Sequence, residues 1–337
     1  MKVTLIATVL NAADRVESFL GSIAAQTRAP NEVVIVDGGS TDGTVDLLQR
    51  PKTTTVIEER GANIARGRNL AIAAAKHDVI AVADADCSYD PDWLAQLLEP
   101  LEAGADVSMG FYLPLTDGFF QECMAAVNLP TSADEVDPAN FMPSARSVAF
   151  RREAIESVGG YPEWLDIGED MWVNVRWRER GLDMRFAPGA VARWPLRPTL
   201  RATWIQYFRY ALGDGHAGMY PERHALRYGA YAGLVAAMIS RRAWPKLAVI
   251  AGGLAYARTP LRRAWRRFEE PRERAIATAL VPALMAWIDT AKMSGYAVGL
   301  ADRLSGAVRK RLGRPDWSHV TKERRRNRRP PRRTDPW

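Results

Sequence analysis

The chain has 337 residues, 47% apolar and 25% charged, which is enough to bury a full core over two lobes and too apolar for overall disorder. Its net charge of +7 sits at one end: residues 301–337 hold 13 Lys or Arg against 4 Asp or Glu, a balance of +9 that leaves −2 for the preceding 300. Two cysteines, Cys87 and Cys123, exclude a disulfide framework and a cysteine zinc site, and fit a reducing compartment.

The N-terminus has one lysine and a short apolar run ended by Asn11, unlike a signal peptide, and predicts a strand over Val3–Val9. Val16, Phe19, Leu20, Ile23 and Ala24 then form one apolar helix face, with Asn11 or Asp14 as its cap. Glu32–Asp37 reads as a second strand, followed by a Gly38–Gly43 turn and a short helix to Arg50. Thr53–Ile57 is a third strand, Ala62–Ala75 a helix, and Val79–Ala83 a fourth strand closing on Asp84. Pro91 opens a helix to about Ala103. Strands separated by helices predict an α/β, doubly wound, mainly parallel sheet with helices on both faces, its ligands lying outside the carboxyl ends of the strands.

From Phe111 to Pro195 the pattern loosens into short segments rich in Pro, Gly and Trp, suited to shaping a substrate pocket. Beyond Pro198 the chain turns helical and basic. Tyr228–Ser240, Ala243–Ala257 and Ala275–Ile288 are apolar, but Arg241, Arg242, Lys246 and Pro282 interrupt them, and none reaches the roughly 20 residues of a spanning helix. They read as helices on a membrane surface, or else as soluble helices packed on the core. The expected organisation is 1–110 for nucleotide binding, 111–197 for acceptor binding, 198–300 helical and membrane-associated, and 301–337 a basic tail, disordered from Lys322.

Asp84-Ala85-Asp86 offers two carboxylates at a strand end, the oxygen ligands that a hard divalent cation takes; a solvated acidic loop is the plainer alternative. Gly168-Glu169-Asp170 opens a helix over Met171–Arg180, where carboxylates favour the helix dipole and can also accept a proton. Gly38, Gly39 and Gly43 permit a tight turn where a ligand approaches. Arg68 reaches a ligand or pairs with Glu58 or Glu59.

These motifs lie in the order Thr8-Val9-Leu10-Asn11, Asp37-Gly38-Gly39-Ser40-Thr41-Asp42-Gly43-Thr44, Ala65-Arg66-Gly67-Arg68-Asn69, Asp84-Ala85-Asp86, Gly159-Gly160-Tyr161 and Gly168-Glu169-Asp170. The set resembles the family 2 inverting glycosyltransferases of the GT-A fold over about residues 1–212. That resemblance implies a nucleotide-sugar donor bound by Thr8, Asn11, Asp37, Gly39, Arg68, Asp84 and Asp86. Asp37 would face the base, Arg68 the nucleotide and Asp84 the ribose; Asp86, with Asp84, would hold Mn²⁺ or Mg²⁺. Asp170 would be the catalytic base with Glu169 orienting it. Gln206-Tyr207-Phe208-Arg209-Tyr210 resembles the Gln-x-x-Arg-Trp element of sugar-polymerising enzymes, with Gln206 and Arg209 toward the diphosphate or acceptor and Tyr210 in the Trp place. Where relatives carry a metal-shell His this chain has Trp194, and His216 is the nearest substitute. Trp164 and Tyr161 could stack on an acceptor or belong to the core.

The expected activity is therefore metal-assisted sugar transfer to a glycan or lipid-linked hydroxyl in cell-envelope polysaccharide synthesis. The expected place is an anionic membrane surface on the cytoplasmic face of a bacterial cell. Two rivals are a sugar nucleotidylyltransferase and a non-enzymatic binder of anionic surfaces or nucleic acid. Asn11-Ala12-Ala13-Asp14 lacks the Gly-rich phosphate loop of the first. The tail lacks the interleaved aromatics of the second, so no nucleic-acid partner is expected.

Overall fold

The computed structural model describes residues 1–50, 54–306 and 308, so the tail from Lys322 lies outside the described residues. Its strands are β1 (Val3–Val9), β2 (Glu32–Asp37), β3 (Thr54–Glu58), β4 (Val79–Val82), β5 (Ser88–Tyr89), β6 (Val107–Leu115), β7 (Val148–Arg151) and β8 (Met184–Pro195). They form one sheet in the order β3-β2-β1-β4-β7-β6-β8-β5. β1 to β4 run parallel, as expected of strands joined by helices; β7 and β5 run antiparallel to their neighbours, so the sheet as a whole is mixed. β6 spans residue 110, which places both expected halves in one continuous sheet.

Alternation along the strands makes the two layers. In β1, Val3, Leu5, Ala7 and Val9 enter one core and Ile6 the other; β2 and β4 alternate likewise. The first core is covered by α1 (Val16–Ala24), α2 (Thr44–Gln49), α4 (Trp93–Glu102) and α5 (Phe119–Asn128), the second by α3 (Ile64–Ala74), α6 (Arg152–Ser157) and α7 (Glu169–Glu179).

The start of α1 differs from expectation. Neither Asn11 nor Asp14 caps it: Asn11 takes a left-handed φ of 49° and accepts the Thr41 amide through Oδ1 at 2.9 Å, while Asp14 pairs with Arg15. The two loops after β1 and β2 thus clasp each other.

Among the described residues, the C-terminal region is four helices: α8 (Leu200–Ala217), α9 (Pro221–Ile239), α10 (Ala243–Arg267) and α11 (Pro271–Leu304). The expected run Ala275–Ile288 is part of α11, which continues through Pro282 and Asp289 and is, by length and composition, long and apolar enough to cross a membrane. This amends the expectation that no segment reaches that length. Asp289 is tolerated inside the helix because Arg227 sits at 2.8 Å and the hydroxyls of Tyr231 and Tyr256 donate to it at 3.3 and 3.1 Å, tying α9, α10 and α11 together. α11 lies along α8 on a seam of glycines. A Cβ on Gly295 would stand 2.1 Å from the Phe208 carbonyl oxygen, and one on Gly299 2.4 Å from that of Leu212.

That seam makes a prediction. Gly295→Val forces the backbones apart and lowers stability by about 1–3 kcal/mol in urea unfolding. Gly21→Ala, in α1 with open space around it, raises stability by roughly 0.5–1 kcal/mol.

Candidate functional site

A cleft of about 1460 Å³ opens at the carboxyl ends of β1 and β4 and runs to the C-terminal helices. Its floor is set by one cation. Arg68, on α3 and 3% exposed, donates through Nη2 to Asp84 Oδ1 at 3.0 Å and through Nη1 to Glu169 Oε1. Its guanidinium also lies over the Tyr161 ring, 5.3 Å from the centroid. Neither Glu58 nor Glu59 is its partner, because Arg66 takes Glu59 at 2.7 Å. Burial alone would lower the Arg68 pKa; Glu169 and Asp84 outweigh it and raise it. Burial pushes Glu169 up to about 7, against the pull of Arg68 and with the push of Asp170.

Asp170 is differently placed. It lines the cleft one residue into α7, its Oδ2 accepting the Ala145 amide at 3.2 Å, with no ion pair among the described residues. Gly168, with φ of 82°, lets the chain turn into α7 so that both carboxylates open the helix.

Asp86 also lines the cleft and has no cationic partner among the described residues; the Cys87 thiol donates to it at 3.5 Å. Burial, then Asp86 and Asp84, raise the Cys87 pKa, so the thiol stays protonated. The donor set suits a hard divalent ion through an open carboxylate at Asp86, whereas Asp84 meets Arg68 at Oδ1 and lies 3.9 Å from Arg146 Nε at Oδ2. No group of three or more His, Cys, Asp or Glu gathers among the described residues. Such an ion would take its other ligands from substrate phosphates and water, as Mg²⁺ commonly does.

The remaining sequence candidates divide. Thr8 and Arg209 line the cleft with Asp84, Asp86, Glu169 and Asp170. Asp37, Gly39 and Asn11 do not. Asp37 is buried and accepts the amides of Gly39 and Ser40, both at 2.8 Å, together with the Ser40 hydroxyl; Gly39 has φ of 103° against Arg60. They build the rim turn. Gln206 stands one step behind the cleft, donating to the Tyr210 hydroxyl at 3.2 Å.

Trp164 lies elsewhere. It lines a separate pocket of about 760 Å³ with Trp172 and His216, so it does not flank Asp170 in the cleft. His216 is bound to Asp302 at 2.9 Å, too engaged and too far round the fold to stand in for the His that Trp194 replaces. Tyr161 is core, 3% exposed.

Sequence reasoning missed Arg146. Its guanidinium stacks 4.1 Å from the centre of Trp194, donates to Ser144 Oγ at 2.8 Å, and keeps a buried Nε–H without a hydrogen-bond partner among the described residues. An arginine in a Pro/Ser loop ahead of β7 carries no spacing signal.

Residues 4–159 match the family model Glycosyl transferase family 2. The chain carries a family 2 glycosyltransferase domain. It is 28% identical over 214 residues to Glycosyltransferase AglE of Haloferax volcanii, covering 58% of this chain and 67% of that one. It is 28% identical over 225 residues to the O-antigen chain rhamnosyltransferase RfbN of Salmonella typhimurium, covering 62% and 71%. A mannosyltransferase of Pyrobaculum calidifontis, solved with GDP-Man and Mn²⁺, shares the fold with a TM-score of 0.54 at 21% identity, over 90% of this glycosyltransferase and 87% of that chain.

Removing the floor cation tests the electrostatics of this glycosyltransferase. Arg68→Met removes the counter-charge of Glu169 and raises its pKa above 7, so the full cost of a buried unpaired carboxylate, about 3–5 kcal/mol, falls only above neutral pH. Glu169, raised above its usual 4.5, favours the fold while protonated, so the deficit against wild type is smallest near pH 4.5 and widens as pH rises through 7. Urea midpoints measured across that range check both sign and size.

Proposed function

We propose that this glycosyltransferase moves a sugar from a nucleoside-diphosphate sugar to a hydroxyl of a glycan or lipid-linked acceptor, in one displacement that inverts the anomeric carbon. The observation that carries the proposal is the division among Asp84, Asp86, Glu169 and Asp170, four of the carboxylates that line the cleft. Arg68 neutralises Asp84 and Glu169, whereas Asp86 and Asp170 have no ion pair among the described residues. A free carboxylate at each end suits a donor held at one and a hydroxyl activated at the other.

The acceptor oxygen attacks the anomeric carbon as its proton passes to Asp170, and the bond to the diphosphate breaks with its electron pair leaving on phosphate. Glu169, fixed on Arg68, orients the start of α7 and keeps Asp170 in the cleft. Mn²⁺ or Mg²⁺, held by Asp86 with Asp84, supplies charge neutralisation to the departing diphosphate when bound. The unpartnered Nε–H of Arg146, beside Asp84, is a donor available to a phosphate oxygen at that end.

Asp170→Asn is expected to lower transfer by about 10²–10⁴-fold while nucleotide-sugar binding persists. Asp86→Asn is expected to lower turnover similarly and to abolish its dependence on added Mn²⁺. Nucleoside diphosphate release, followed with and without acceptor, measures both.

The place of action we propose is the cytoplasmic face of a bacterial cell membrane. Supporting this, α9 and α10 expose Leu226, Met238, Ile239, Trp244, Leu247, Ile250 and Leu254 beside Arg241, Arg242 and Lys246. An apolar surface of this extent, fringed with cations, fits an anionic leaflet better than water. Replacing Leu247, Ile250 and Leu254 by Ser should release the protein from anionic vesicles even at low salt, read by sedimentation, while donor hydrolysis continues.

A further inference from the structure

The wall of the cleft opposite β4 comes from the C-terminal helices, and its charges are not balanced. Arg223 of α9 and Lys292 of α11 both line the cleft, and neither has an ion-pair partner among the described residues. The Lys292 ammonium rests over the Tyr207 ring, 4.9 Å from its centroid, and the Arg223 guanidinium over Tyr220, at 5.0 Å. The two carboxylates that act on Lys292 are each engaged with another group. Asp214 holds His224 at 3.0 Å and Asp289 holds Arg227 at 2.8 Å. Burial, then Arg227, push Lys292 down to about 8, with Arg223 adding to the push, against the pull of Asp289 and Asp214. This is a cation short of counter-charge.

Tyr220 links that wall to the reacting end. It lies within electrostatic reach of Asp214, Arg223, Asp170 and Arg178, and it too lines the cleft. Its backbone is left-handed, with φ 52° and ψ 42°, a conformation that non-glycine residues hold only where the surroundings impose it. The ring therefore lies in the cleft under Arg223, with Asp170 in electrostatic reach.

We infer that Arg223 and Lys292, with the Tyr220 hydroxyl, hold a phosphate group of the acceptor beside the hydroxyl that Asp170 deprotonates; this rests on the transfer reaction proposed above. Cations converging from α9 and α11, with Arg178 of α7 near, suit a tetrahedral dianion approached from several directions. A planar carboxylate is served by a single guanidinium fork. The phosphate belongs either to a prenyl-type lipid or to a sugar phosphate.

The test is calorimetric titration of the full-length protein, without donor, using farnesyl phosphate, glucose 1-phosphate, farnesol, glucose and glucuronate. At least one phosphate is expected to bind, and its neutral counterpart is not. Binding of farnesyl phosphate alone assigns the phosphate to a lipid, and binding of glucose 1-phosphate alone assigns it to a sugar. Arg223→Gln combined with Lys292→Met should weaken that binding at least about tenfold. Arg223→Gln alone, at an exposed position, should weaken it in the same direction should the double variant fold poorly. Several results overturn the inference: neither phosphate binding, farnesol binding as tightly as its phosphate, glucuronate matching glucose 1-phosphate, or unchanged affinity in the variants. Loss of phosphate binding in Arg146→Gln instead would move the phosphate to the β4 end and equally overturn it. Because no donor is present, failure of the transfer mechanism itself appears separately, in nucleoside diphosphate release.

Discussion

One buried guanidinium orders the cleft. Arg68 leaves α3 beneath the sheet's carboxyl edge and joins Asp84, after β4, to Glu169, at the start of α7. The two carboxylates would repel each other without it, and leaving buried Glu169 charged and unpaired costs several kcal/mol. Tying the loop after β4 to the first turn of α7 fixes the distance between the two ends of the cleft. Of the four carboxylates Asp84, Asp86, Glu169 and Asp170, those without an ion pair among the described residues are Asp86 and Asp170.

The C-terminal helices complete this frame. α11 approaches α8 closely enough that glycine carbons meet carbonyl oxygens, which brings Lys292 to the cleft wall. The charge on Asp289, costly in a long apolar helix, is offset by Arg227 and two tyrosine hydroxyls, and the same contacts hold α9 and α10 in place. Opposite that joint, α9 and α10 expose their apolar residues. The proposed membrane surface and the proposed acceptor contacts therefore belong to one group of helices.

Much of the first half was legible in the sequence because its signals are local. Valine and isoleucine runs marked β1, β2 and β4 to within a residue or two, and Asp84-Ala85-Asp86 followed directly from a strand end. The partners of Arg68 were not legible. Glu169 lies 101 residues away, and nearby Glu59, a sound guess by spacing, is taken by Arg66. Trp164 stands close to Asp170 in sequence, yet the turn at Gly168 sends the two side chains into different pockets. Arg146, Arg223 and Lys292 sit in segments whose pattern reports only a loop or an amphipathic helix. Their convergence is a product of tertiary packing.

The claim on which the rest turns is that Asp170 alone acts as the base, in a single displacement, because Arg68 withholds Glu169. The configuration of the first product tests it most directly. With an α-configured nucleotide-sugar donor and a competent acceptor, proton NMR of the anomeric signal, taken before any equilibration, should show a β-linked product. An α-linked product would mean retention, by two displacements or by attack on the leaving-group face, and would contradict the division of roles that Arg68 imposes.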